Sequence, residues 1–257
     1  MLLALAFAPA ALLSAGPHHV RHLELLGKNL PKINQEVLAA VDRVQTTAMD
    51  GGGYFIGVHA VPAECPIGYP LKLKGAAMLT PTRTTSYCSG SSYTTFIEAM
   101  DRLLEKPLDP KRAELMRMQE PDGGRREDEV KAWGWWNADG NGTQFALVQY
   151  LGVGEAIPAK ELRPGDFANI SWKSGLGHSV VFLGWTKDPV KGDSIVYWSS
   201  QKGTNGLGDQ TSPLSSVDAL CAVRLTHPER LATFVPGTVD RKAAIGEPPP
   251  RFSAAED

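Results

Sequence analysis

The chain has 257 residues, with 26 Lys and Arg against 28 Asp and Glu, and a formal charge of −2 gives no electrostatic case for binding nucleic acid or an anionic membrane surface. Hydrophobic residues at 42% and charged residues at 21%, with 26 Gly and 19 Pro, exclude a disordered or fibrous chain and describe a loop-rich globular one that can bury a core.

Residues 1–16 run apolar from Leu2 to Leu13 and end in small residues, which predicts a signal peptide and a secreted or periplasmic product. No later stretch approaches the roughly 20 apolar residues that span a bilayer, so no integral membrane segment is expected. His18, His19 and His22 follow at once and read as an exposed start or an adventitious metal contact. From Pro31 to Met49, Ile33, Val37, Leu38, Val41 and Val44 share one side of an amphipathic helix expected to pack under a sheet. The apolar run Tyr54 to Val61 reads as a strand, with His59 an ordinary core residue.

Three cysteines are an odd set, so in an oxidising compartment at least one thiol has no intrachain partner. Cys65, in a Pro-rich stretch, and Cys221, in the apolar run Ala219 to Leu225, are each a buried small hydrophobe or the two halves of a bridge. Cys88 differs. It lies in a Ser/Gly cluster, Ser86 to Ser92, that leads into Phe96, Ile97, Met100, Leu103 and Leu104 at helical spacing, so it falls at or near a helix start. There the helix dipole and unpaired N–H groups favour a thiolate, and N–H groups near Cys88 and Ser89 supply an oxyanion hole.

The charged stretch Lys106 to Lys131 precedes a tryptophan cluster, Trp133, Trp135 and Trp136, which either walls a substrate or packs this region onto the core. Asn137, Asp139 and Asn141 mimic half a calcium loop, but Val148 stands where a bidentate Glu is required, and an Asx-rich turn is expected instead. No Cys-x-x-Cys, His-Glu-x-x-His or phosphate-cradling pattern occurs, so no metal and no cofactor are expected.

Arg163 to Asp166 forms a turn, Phe167 to Trp172 a strand, and His178 opens the next strand, His178 to Trp185, where a base is both rigid and accessible. A turn at Asp188 to Asp193 returns the chain as Ser194 to Gln201. In an antiparallel hairpin the end of that strand lies beside His178, so Gln201, or Ser199 on the same face, is expected to orient the imidazole. His227 precedes Pro228 at the end of the core, and the Pro- and charge-rich residues 236–257 read as a disordered tail.

Tyr87-Cys88-Ser89-Gly90 entering a helix, Leu162 to Phe167 before a strand, and Gly177-His178-Ser179-Val180-Val181-Phe182-Leu183-Gly184 together resemble the NlpC-type and CHAP-type cysteine peptidases and amidases. The resemblance covers about half the chain, from Thr84 to Gly208, with Tyr87 where the NlpC pattern carries Asp. It implies an α+β fold with a papain-like core: a helix bearing the Cys, packed on an antiparallel sheet bearing the His. The expected organisation is one domain over residues 17–235, with an insertion at about 105–160. The expected chemistry is amide hydrolysis, often in cell-wall peptides, with Cys88 as nucleophile and His178 as base. Gln201 or Ser199 would orient the base, Ser89 would serve the oxyanion, and Tyr87, Trp133, Trp135, Trp136 and Trp198 would contact substrate. A glycan- or peptide-binding module on the same fold and a thiol-dependent acyltransferase remain alternatives, and the oligomeric state stays open.

Overall fold

The computed structural model describes residues 21–48, 53–54, 69–79, 86–116 and 151–234. Two helices dominate one side of the molecule, α2 (Lys32–Thr47) and α3 (Cys88–Leu103), preceded by the short α1 (His22–Leu26). In α2, Val37, Leu38, Val41 and Val44 are buried as their spacing requires, and the face they form packs on α3. A small hairpin, β1 (Leu71–Leu73) and β2 (Ala76–Leu79), and a one-turn-plus helix α4 (Pro110–Leu115) flank α3.

The remaining strands form one antiparallel sheet: β3 (Gly154–Ile157), β4 (Phe167–Trp172), β5 (Gly177–Asp188), β6 (Gly192–Gln201), β7 (Gly206–Pro213) and β8 (Val217–Leu225), in the order β3-β8-β4-β5-β6-β7. The protein is thus an α+β mixture of helices and an antiparallel sheet. Side chains alternate along the strands. Phe167, Val181, Leu183, Val196, Trp198 and Val223 point to the helices and join one core with α2 and α3. Ala168, Ile170, Val180, Phe182, Ile195, Tyr197 and Ala222 point the other way, into a second and smaller apolar cluster.

The turn at Arg163 to Asp166 anchors this sheet. Gly165 has φ +90°, and a Cβ there would meet the Asn34 carbonyl oxygen at 2.7 Å, so glycine is required both for its backbone conformation and for the close approach of α2. Asp166, fully buried, accepts from the Arg163 N–H (2.7 Å), the Asn34 amide (2.8 Å) and the Arg224 guanidinium (2.7 and 2.9 Å). Burial pushes its carboxyl above the usual range against the pull of those donors. The carboxylate therefore ties α2, β4 and β8 together.

Three expectations change. His22 is not at an exposed start: it is fully buried, with Nδ1 2.7 Å from Asp42 on α2 and Nε2 2.8 Å from Asp209 on β7. Residues 154–157, expected inside an insertion, are the edge strand β3, because they find hydrogen-bonding partners on β8, which lies some 65 residues further along the chain. Residues 206–213, for which no strand was expected, form β7 against β6. The signal peptide, His18, His19, His59, Cys65, the Asx-rich turn and the tail lie outside the described residues. No helix among the described residues is long and apolar enough to cross a membrane.

Candidate active site

Cys88 is the first residue of α3, and Tyr87 before it is extended at φ −145° and ψ 164°, so the chain enters the helix directly at the thiol. Two first-turn hydroxyls fold back on the Cys88 carbonyl: Ser91 Oγ donates to it at 2.7 Å and Ser92 Oγ at 3.2 Å. These serines also bind the sheet. Ser179 Oγ on β5 donates to Ser92 Oγ (3.0 Å), the Ser200 N–H on β6 donates to Ser91 Oγ (3.2 Å), and Ser86 and Ser200 share a 2.6 Å hydroxyl contact. All five serines are buried. Small hydroxyls let helix and hairpin approach closely while the serines bond to one another and to backbone, which holds Cys88 against the ends of β5 and β6.

Across this seam the hairpin supplies His178. Val181 pairs with Trp198, and continuing that register brings His178 opposite Gln201. Their side chains meet, His178 Nε2 to Gln201 Oε1 at 3.3 Å. The amide's orientation is not free: its NH₂ donates to the Gly208 carbonyl and to Thr204 Oγ1, each at 2.9 Å, and a carbonyl can only accept. Oε1 must therefore face the ring and accept from Nε2–H. That leaves Nδ1 as the basic nitrogen, and His178 hydrogen-bonds the Cys88 thiol.

Burial by itself would raise the Cys88 pKa, but the hydrogen bond and charge of His178, with the N–H groups of Ser179 and Ser89, outweigh it, and the net shift is downward. Cys221 gives the contrast. Buried on β8, it is pushed up to about 12 by burial. Of the two described thiols, the half-buried Cys88 is the one shifted toward its thiolate form.

A cleft of about 530 Å³ opens beside His178 and Gln201, with Tyr54, Tyr197 and Trp172 among its other walls; Cys88 is not among its lining residues. The Tyr197 ring meets the His178 ring edge-on, with centroids 5.5 Å apart at 71°, which limits how far the imidazole can turn. Burial raises the phenol pKa values of Tyr54 and Tyr197, and the negative charge of Cys88 adds to the shift in both, so both hydroxyls lie within electrostatic reach of the sulfur.

Several expected site residues lie elsewhere. Trp198 faces the helical core, fully buried, with its indole N–H donating to Gln45 at 2.9 Å, because β6 alternation turns it away from His178. Tyr87 is 1% exposed and packs under Gly90 in the same core, so neither aromatic can wall a substrate. Ser199 donates to the Ser179 carbonyl at 2.7 Å and contacts no imidazole; Gln201 alone of the two reaches His178. Ser89 places its backbone N–H against the Cys88 thiol. Trp133, Trp135 and Trp136 lie outside the described residues.

The sequence reading missed the Ser179 N–H, Tyr54, Tyr197 and the Trp172 wall. Tyr197 could have been found, since it lies four residues before Gln201 on the same face of one strand. Among the described residues no three His, Cys, Asp or Glu side chains are grouped to hold a metal ion. Comparison with protein-family models, with curated proteins and with solved structures gives no match.

Proposed function

We propose that this protein is a cysteine hydrolase that cleaves an amide bond, on a papain-like arrangement of one helix and one antiparallel sheet. The observation that carries the reading is the continuous chain of contacts from the Cys88 thiol through the His178 ring to a Gln201 amide whose orientation is dictated by Gly208.

His178 Nδ1 takes the thiol proton, and the Cys88 sulfur attacks the carbonyl carbon. The negative charge that develops on the carbonyl oxygen is met by N–H groups at the start of α3, aided by the positive end of its dipole. Protonated His178 then gives its proton to the leaving amine, the C–N bond breaks, and an acyl-thioester remains. Water, deprotonated by the same nitrogen, releases the acid and restores the thiol. Gln201 holds Nε2–H throughout, so the ring presents Nδ1 at every step. Cell-wall peptides are the proposed substrate and an exported location the proposed site of action; both rest on the motif resemblance and on the apolar residues 1–16.

The test compares wild type with Cys88→Ala on peptidoglycan peptides, together with alkylation of the wild type by iodoacetamide at mildly acidic pH. Loss of hydrolysis in the variant and labelling confined to Cys88 are expected. Equal hydrolysis by both proteins, or no labelling of Cys88 below the pH at which ordinary thiols react, would end the thiol mechanism. Transfer of the acyl group to an amine in place of water uses the same residues, and mass spectrometry of the products separates the two.

A further inference from the structure

The orientation of Gln201, and through it of His178, rests on one carbonyl of β7, and β7 is an edge strand. It stands last in the sheet order, so among the described residues its ladder hydrogen bonds come from β6 alone, and of its eight residues Leu207 is the one that joins the core shared with α2 and α3. A second tie comes from α1. His22 is fully buried, with Nε2 2.8 Å from Asp209 Oδ1 and Nδ1 2.7 Å from Asp42 Oδ1. Carboxylates accept, so the ring donates from both nitrogens as an imidazolium, in keeping with a pKa raised to about 9. Asp42 on α2 and Asp209 on β7 are the charged groups that face it; on α1 itself, Arg21 and Glu24 pair with each other at 2.9 Å on the surface.

The two carboxylates are unequal. Asp42 also accepts from the N–H groups of His22 and Leu23, at 2.8 and 3.0 Å, whereas Asp209 Oδ2 is buried with no hydrogen-bond partner among the described residues. Asp209 therefore depends on His22 more than Asp42 does, and a buried carboxylate stripped of its cation favours a shift of its strand toward water. The residue before it is Gly208, and the peptide unit between the two carries the carbonyl that accepts from the Gln201 amide at 2.9 Å. The Gln201 carbonyl in turn receives His178 Nε2–H at 3.3 Å. The unit has little slack: a Cβ on Gly208 would meet Thr204 Cγ2 at 3.0 Å, and Thr204 Oγ1 is the second acceptor of the Gln201 amide. We propose that His22 is a positioning residue for the reaction: by holding Asp209 it sets the Gly208 carbonyl, hence the Gln201 amide and the tautomer of His178, so α1 must be docked for the site to be competent. The proposal rests on the amide-hydrolase reading for what the imidazole does, but the tautomer of the ring can be read without any turnover.

The experiment reads the His178 tautomer by nitrogen NMR of the histidine rings in full-length Cys88→Ala protein, with the signals assigned from a His178→Asn spectrum. A pH of about 8 lies above the ordinary imidazole pKa and below that of His22. There a single Nε2–H tautomer is expected. His22→Leu, and separately Asp209→Ala, which unties β7 while leaving α1 on Asp42, should each turn it into a mixture with the Nδ1–H form. With Cys88 restored, each substitution should lower kcat on peptidoglycan peptides about tenfold at unchanged KM. Neither should lower it further in Gln201→Ala protein, where the link it breaks is already gone. Circular dichroism verifies the fold, and Asp209→Ala carries the test if His22→Leu does not fold. An unmoved tautomer in the folded variants, or a loss that multiplies in full with that of Gln201→Ala, overturns the proposal and leaves His22 a residue of stability alone. A wild type that hydrolyses none of the peptides would instead strike the hydrolase reading, with the tautomer still deciding what His22 does.

Discussion

The chemistry of the site is decided by which neighbours a side chain has. Cys88 and Cys221 are the same residue, yet one thiol is shifted down and the other up to about 12, because an imidazole and two backbone N–H groups lie against the Cys88 sulfur and outweigh its burial, whereas burial dominates at Cys221. Gln201 controls the imidazole in turn. Gln201→Ala removes the acceptor of Nε2–H and frees both the ring and its tautomer, so hydrolysis is expected to fall about 10²-fold in kcat with little change in KM. The alkylation midpoint of Cys88 should rise in the same variant. A variant with wild-type kcat and an unmoved midpoint would show that Gln201 orients nothing. Cys88, His178 and Gln201 were all legible as residues, since a helix start, a strand start and a hairpin end are local patterns. Trp198 was misread because an aromatic beside the site in sequence is on the opposite face in space.

Between elements, the deciding contacts are small and polar. The seam of Ser86, Ser91, Ser92, Ser179 and Ser200 joins α3 to the β5–β6 hairpin across about a hundred residues of chain. No hydrophobic periodicity announces it. The strands β4, β5 and β6 follow alternation and turn residues, and the sequence places them within a few residues of their observed ends. The strands β3 and β7 were not legible, because Gly154–Ile157 and Gly206–Pro213 carry little apolar alternation and are strands chiefly because β8 and β6 offer them hydrogen bonds. The turn that starts β4 can be tested. Gly165→Ala forces a Cβ into the Asn34 carbonyl at a positive φ, so it should lower stability by about 2 kcal/mol or more, read as a drop in the denaturation midpoint. Unchanged stability would mean that α2 can move off the turn at no cost.

At the scale of the whole molecule, α1, α2 and β7 are joined by one buried ion cluster. Asp42 accepts from the backbone N–H groups of His22 and Leu23 at 2.8 and 3.0 Å as well as from the His22 ring, and Asp209 accepts from the other ring nitrogen. Burial would lower the His22 pKa, but the two carboxylates outweigh it and raise it to about 9 from an ordinary 6.5. A folded-state pKa above the unfolded one gives stability that is complete below pH 6.5 and is lost as pH rises towards 9, amounting to about 3 kcal/mol. Denaturant unfolding across that window should show the decline in wild type, and His22→Leu should flatten it. A wild-type profile that is level from neutral to pH 9 would mean that the imidazole is neutral in the folded protein.

By itself the sequence determined the amphipathic α2, the helix that begins at Cys88 and the hairpin that sets Gln201 against His178. These depend on periodicity, capping and antiparallel register, which act over a few residues to a few tens. Only the tertiary structure decided that the thiol and the imidazole meet, that Gln201 rather than Ser199 holds the ring and that His22 is an internal ion pair. Each of those needs segments 23 to 187 residues apart to be docked at hydrogen-bonding distance, and the docking is set by serine hydroxyls and buried carboxylates whose partners no local pattern names.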